Sequence, residues 1–178
     1  VFPVKHDHPM TCFAKYPLPD GTIVELEVVF LALDQPKDIR KLLSTEFTGV
    51  WLNEARELSR AVIDQATASV GRFPAKVAGG SNYKSVIMDT NSPDTDTDWY
   101  RRFEVEKPAN WEQFVQPPWL IGDSPNNLRP NVGQIKGVPA AENVKNVQGG
   151  FAYAMDMAMG KKWDWIKVYL LNQYGTRS

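Results

Sequence analysis

The segment Thr48-Gly49-Val50-Trp51-Leu52-Asn53-Glu54 constrains the fold of this chain most. It is a short apolar run that stops abruptly on an amide and a carboxylic acid. Downstream, Leu58, Val62, Ala66 and Val70 recur at helical spacing over 55–70. Gly71 suits a helix C-terminus, and Pro74 forbids continuation. A second apolar run, Ser85–Asp89, follows and ends in Thr90-Asn91-Ser92-Pro93. Strand, helix and strand in that order predict parallel pairing, with both polar tips at the carboxyl end of a sheet. Open α/β sheets bind their ligands there.

The rest of the chain fits around this unit. Residues 22–33 begin as alternation and end as a continuous apolar run, which suits a strand entering a buried sheet. The turn signal Leu18-Pro19-Asp20-Gly21 makes residues 11–17 the candidate other arm of a hairpin. Asp34 closes the strand, and Pro36–Leu43 reads as a short helix. Asp94–Glu104 reads as a loop running into a helix that carries Trp99, Tyr100 and Phe103 as core. Trp111–Val115 reads as a strand. The stretch 116–150, rich in Pro, Asn and Gly, reads as a long irregular loop. Phe151–Met159 and Lys162–Tyr169 read as two short helices joined at Gly160.

Composition excludes several classes. The 178 residues allow one domain or slightly more. With 20 basic and 21 acidic side chains the chain is no polyelectrolyte that grips nucleic acid by bulk charge. The lone Cys12 excludes a disulfide scaffold and a cysteine zinc site, and fits a reducing cytoplasm. No apolar run approaches the roughly 18 residues of a membrane span. The start at Val1 is not a signal peptide and lacks an initiator Met, which suggests a processed or partial N-terminus.

The two strand tips carry the chemistry. Asn53 is placed to hold a magnesium hydration shell, and Glu54 to orient or deprotonate an attacking water. The plainer alternative is a helix start, with Asn53 as N-cap and Glu54 favourable to the dipole. Asp89, Thr90 and Asn91 could sense a terminal phosphate, or simply form an Asx turn before Pro93. Arg72 could serve as an arginine finger on a neighbouring subunit, or as a cation meeting free helix-end carbonyls. Asp94, Asp96 and Asp98 alternate as in a calcium loop, but Trp99 stands where that loop needs glycine. His6 and His8 read as surface. Arg101, Arg102, Lys161 and Lys162 read as solvated pairs, so no DNA surface is legible. No G-x-x-x-x-G-K-[ST] occurs, so the chain alone should bind ATP poorly.

Taken in order, these motifs resemble the large terminase subunit of tailed bacteriophages. The residues concerned are Leu31-Ala32-Leu33-Asp34, the run from Leu42 to Glu57, and Val70-Gly71-Arg72-Phe73-Pro74. Asp89-Thr90-Asn91-Ser92-Pro93 with Trp99-Tyr100, Pro139–Asn143, and Val168–Gly175 complete the set. The resemblance implies an α/β, P-loop NTPase-like (ASCE) sheet, mostly parallel, with a small helical linker subdomain. It implies that 1–121 is the second half of an ATPase core and 122–178 the loop and linker. Asn53-Glu54 then falls at the Walker B position, with Glu54 as catalytic carboxylate, and Asp89-Thr90-Asn91 at the coupling motif. The implied activity is ATP hydrolysis with Mg2+, driving double-stranded DNA into a procapsid. Implied partners are that DNA, the small terminase subunit, a portal protein and further copies in a ring, in the host cytoplasm and without a membrane. A nuclease is expected beyond the C-terminus. Two features depart from the family: Asn53 stands where Asp is usual, and no Walker A segment is present. The second favours an alternative, a non-catalytic module that docks DNA or a portal.

Overall fold

The computed structural model describes residues 3–33 and 35–176; Asp34 lies outside the described residues. Over the described residues the protein is mixed α/β, with three small sheets rather than one mostly parallel sheet. It divides into two units, Val1–Val50 with Ala61–Val86, and Trp51–Arg60 with Ile87–Ser178.

In the first unit β1 (Val4–Lys5), β2 (Met10–Pro17) and β3 (Ile23–Phe30) form an antiparallel sheet in that order. The turn at 18–21 closes the hairpin as its sequence predicts. Leu18 N–H donates to the Thr22 carbonyl, and the Asp20 carboxylate accepts from the Thr22 amide. Register then sorts the side chains. Met10, Cys12, Ala14 and Tyr16 stand opposite Phe30, Val28, Leu26 and Val24, so one face is wholly apolar. The other face carries the Lys15–Glu25 ion pair and Lys5 over the Phe13 ring. The expected burial of β3 is corrected here: seven of its eight residues are exposed. A continuous apolar run shows that a face wants cover, not that the cover lies next to it.

Pro36–Asp38 forms a 3-10 turn leading into α1 (Ile39–Leu43). The predicted helix over 55–70 is interrupted. A 3-10 turn at Ala55–Glu57 ends where Leu58 takes an extended backbone, and α2 runs from Arg60 to Ser69. In the first unit Leu42 of α1 and Val62, Ile63 and Ala66 of α2 are buried, and the Ser69 hydroxyl donates to the Leu42 carbonyl. Gly71 sits at φ 75°, which suits a residue without Cβ after a helix.

β4 (Gly49–Leu52) and β5 (Ser85–Met88) pair as the sequence predicts. Gly49 lies against Ser85, while Asp89 N–H donates to the Leu52 carbonyl, so the strands run the same way.

In the second unit α3 (Asp98–Tyr100) is capped by the Thr97 hydroxyl and continues as a π-helical turn over Arg101–Glu106. It carries the predicted aromatics: the Trp99 and Phe103 rings lie 4.5 Å apart, and Tyr100 meets Tyr174 edge-on. Arg102 corrects the expectation of a solvated pair. It is 7% exposed and lies over the Trp111 ring. The expected strand at Trp111–Val115 does not form. Trp111 is held between Arg102 and Phe103, Gln113 donates to the Tyr174 hydroxyl, and Pro117-Pro118 remove the donors a ladder needs. Regular pairing comes later, between β6 (Leu120–Ile121) and β7 (Arg129–Pro130), inside the stretch read as loop. The predicted C-terminal helices are present as α4 (Phe151–Ala158) and α5 (Trp163–Tyr169). Leu120, Ala154, Ala158, Ile166, Leu170 and Leu171 form their common core, with Trp163 and Trp165 packed against it. Among the described residues no helix is long and apolar enough to cross a membrane.

Candidate functional site

Pairing of β4 with β5 brings the two polar tips together in the second unit. Leu52 is buried and anchors the first tip. Ala55 N–H then donates to the Asp89 carbonyl at 2.9 Å, locking one tip to the other. Between these anchors the chain turns so tightly that Glu54 adopts φ 51°, ψ 48°, the left-handed region. For a residue with a long side chain that backbone costs about 1 kcal/mol. Strain of this kind concentrates where geometry is set by function. Asn53 is exposed on the turn.

The Glu54 carboxylate has two loose neighbours. Asn91 Nδ2 donates to Oε1 at 3.4 Å. Arg56 Nε lies 3.9 Å from Oε2, beyond hydrogen-bond reach. Although the side chain as a whole is partly exposed, Oε2 is shielded and has no hydrogen-bond partner. Among the described residues one other buried side-chain oxygen shares that state, Thr90 Oγ1. A buried polar atom left unpaired costs about 1–3 kcal/mol. Both fall on residues singled out from sequence. Asp89 is engaged differently: its Oδ1 accepts from Trp51 Nε1 at 2.6 Å.

Sequence reasoning missed Trp51, Arg56 and Tyr169. Arg56 is hydrogen-bonded to Tyr169 and flanked by Glu57 and Glu54, which hold its guanidinium above the usual range. Strand alternation offers a signal for Trp51, since it must face away from buried Leu52. The charge order Glu54-Ala55-Arg56-Glu57 offers one for Arg56. Nothing local marks Tyr169, which lies 113 positions beyond Arg56. Arg72 belongs to the first unit; its N–H donates to the Phe47 carbonyl and its side chain is exposed.

A second polar cluster lies in the same unit. Tyr174 donates to Glu104 Oε1 at 2.6 Å and accepts from Gln113. Burial, then the Glu104 carboxylate, push its phenol up from 10.0 to about 12. Because the folded value exceeds the unfolded one, the associated stability is complete below about pH 10 and is lost as pH rises towards 12. Urea titrations at pH 9 and 11 should therefore show a larger loss for the native chain than for Tyr174→Phe. Equal losses would contradict the assignment.

Among the described residues no group of three His, Cys, Asp or Glu could hold a metal. The donors at the two tips are all oxygen or amide. No family model, curated protein or solved structure matches the chain.

Proposed function

We propose that this chain carries the hydrolytic half of a nucleotide-driven motor, in which Glu54 activates water against the terminal phosphate of ATP. The observation that carries the reading is the pair of unpartnered buried oxygens, Glu54 Oε2 and Thr90 Oγ1, on adjacent strand tips. A water and a phosphate oxygen are the groups that would satisfy a carboxylate oxygen and a hydroxyl without hydrogen-bond partners. The Asn91 amide on Oε1 fixes which oxygen is left for the water. Magnesium, when bound with the nucleotide, neutralises phosphate charge; Asn53 would contact its hydration shell, and Asp89 has Oδ2 to contribute. The P-loop NTPase-like sheet, the packaging role with duplex DNA, portal and small subunit, and the ring assembly belong to this same proposal, through the resemblance described above. So does Arg72 as a finger towards another copy.

Exposed faces support it further. Trp51 is 70% and Ile87 58% exposed on one side of the parallel pair. Parallel strands are normally covered on both faces. The apolar face of β1–β3 asks for cover in the same way. Further core strands and helices of an NTPase would supply it.

The test is coupling. In the intact protein, replacing Thr90 and Asn91 by Ala should leave ATP hydrolysis within about tenfold of normal while DNA movement per ATP falls at least as far. Unchanged movement per ATP would remove the coupling role. A protein that neither binds nor hydrolyses ATP, but still binds DNA or portal, would establish the docking alternative.

A further inference from the structure

Between α2 and β5 the first unit extends a loop, Gly71–Lys84, built on two legs that touch. Gly71 and Arg72 N–H both donate to the Phe47 carbonyl, at 2.7 and 3.2 Å, and the Thr48 hydroxyl donates to the Phe73 carbonyl at 2.8 Å. These bonds fix the outgoing leg against the chain that leads into β4. The returning leg meets it at Lys84: a Cβ on Gly71 would stand 2.9 Å from Lys84 Cδ, so the lysine stem lies along the glycine. At the tip, Gly79 and Gly80 N–H donate back to the Lys76 and Ala75 carbonyls. A loop whose ends meet and whose tip is bonded to itself presents its side chains from a fixed frame.

The side chains it presents are cationic and aromatic. Arg72, Lys76 and Lys84 are exposed, and among the described residues none of the three is in an ion pair. From Gln65 to Met88 the chain carries these three cations and no acid, so a near-neutral protein holds a local concentration of positive charge. Phe73, 59% exposed, and Tyr83, 70% exposed, stand among them. An acidic peptide would satisfy the cations but leave both rings in water. A membrane surface calls for apolar side chains gathered at the tip. Here the rings lie on the legs, and the tip has Val77 as its one large apolar side chain beside Gly79-Gly80-Ser81-Asn82. Duplex DNA offers phosphates but keeps its base faces stacked inside. A single strand offers both, phosphates to the lysines and open base faces to the rings.

We propose that the loop Gly71–Lys84 is a binding site for single-stranded nucleic acid, with Lys76 and Lys84 on phosphates and Phe73 and Tyr83 against bases. The site lies outside the two strand tips and beyond the duplex handling of the motor reading. It does not need Glu54 to be catalytic. Arg72 stays native in the test, because the motor reading gives it a role of its own.

Fluorescence anisotropy of the 178-residue chain, without nucleotide, tests it with three probes: a labelled twenty-residue oligothymidine, a labelled duplex of the same length, and labelled vesicles of anionic phospholipid. The single strand should bind at least tenfold more tightly than the duplex. Lys76→Gln with Lys84→Gln should weaken it about tenfold and reduce the slope of log affinity against log salt by about 1.4. Tyr83→Ala should weaken it about tenfold, while Tyr83→Phe, which keeps the ring, should bind like the native chain. Tyr153→Ala, an exposed aromatic of the second unit, should change nothing. All these side chains are exposed, so the unfolding midpoint should stay in place throughout. Equal affinity for single strand and duplex, or binding unchanged in the lysine or the Tyr83→Ala variants, would overturn the proposal. Vesicles binding more tightly than the oligonucleotide would overturn it in favour of a membrane contact. Loss of ATP hydrolysis in Glu54→Gln, or its persistence, has no bearing on these titrations, so this proposal and the motor reading fail separately.

Discussion

Glu54→Gln in the intact protein should lower ATP hydrolysis by about a thousandfold while nucleotide affinity stays within about threefold. The amide keeps the size of the carboxylate but cannot take a proton from water, so the loss falls on turnover and not on binding. The neighbours make this a clean substitution. Asn91 reaches Oε1 at 3.4 Å and Arg56 stands 3.9 Å from Oε2, so no strong ion pair is broken. Stability should therefore change by less than about 0.5 kcal/mol. Glu54→Gly separates function from fold in the opposite direction. At φ 51° glycine carries no Cβ penalty, so this variant should be more stable than the native chain by about 1 kcal/mol, and equally inactive. Steady-state phosphate release, nucleotide titration and urea unfolding read the three effects. Near-normal turnover in Glu54→Gln would remove Glu54 from the chemistry. A destabilised Glu54→Gly would show that the turn is held for a packing reason instead.

The meeting of the two tips was legible because each is written locally. Each is an apolar run that stops on polar residues, and strand–helix–strand order brings such stops to one end of a parallel pair. The left-handed backbone of Glu54 was not legible. It follows from Ala55 N–H reaching the Asp89 carbonyl, a partner 34 positions away. The first hairpin was legible from Leu-Pro-Asp-Gly, but its exposure was not, since alternation reports which residues share a face and not what lies beyond it. Trp111–Val115 misled because aromatic and β-branched residues suit a strand, while their actual partners are the Arg102 guanidinium and the Tyr174 hydroxyl. The paired segments 120–121 and 129–130 are two residues each, too short to carry any period.

What organises that stretch instead is a single buried amide, and its removal should cost the fold most. Asn131 is fully buried. Its Nδ2 donates to the carbonyls of Pro118 and Pro139, each at 2.8 Å, and its Oδ1 accepts from Gly133 N–H at 3.2 Å. Prolines leave those carbonyls beside chain that offers no N–H of its own, so the side chain supplies the missing donors. Asn131→Ala keeps the backbone bonds to Trp119 and Ala141 but removes the donor of two proline carbonyls and the acceptor of Gly133 N–H. The expected loss is about 3 kcal/mol, or a fall of roughly 10 °C in the thermal midpoint for a chain of this size. Gln134 provides the control. It also makes two side-chain bonds at 2.8 Å within the same loop, to Val132 N–H and the Pro130 carbonyl, but it is exposed. Water replaces both bonds in Gln134→Ala, so that variant should lose less than about 1 kcal/mol. If thermal unfolding shows equal losses, burial is not what gives Asn131 its weight. If Asn131→Ala unfolds like the native chain, the loop is held by its hairpin alone.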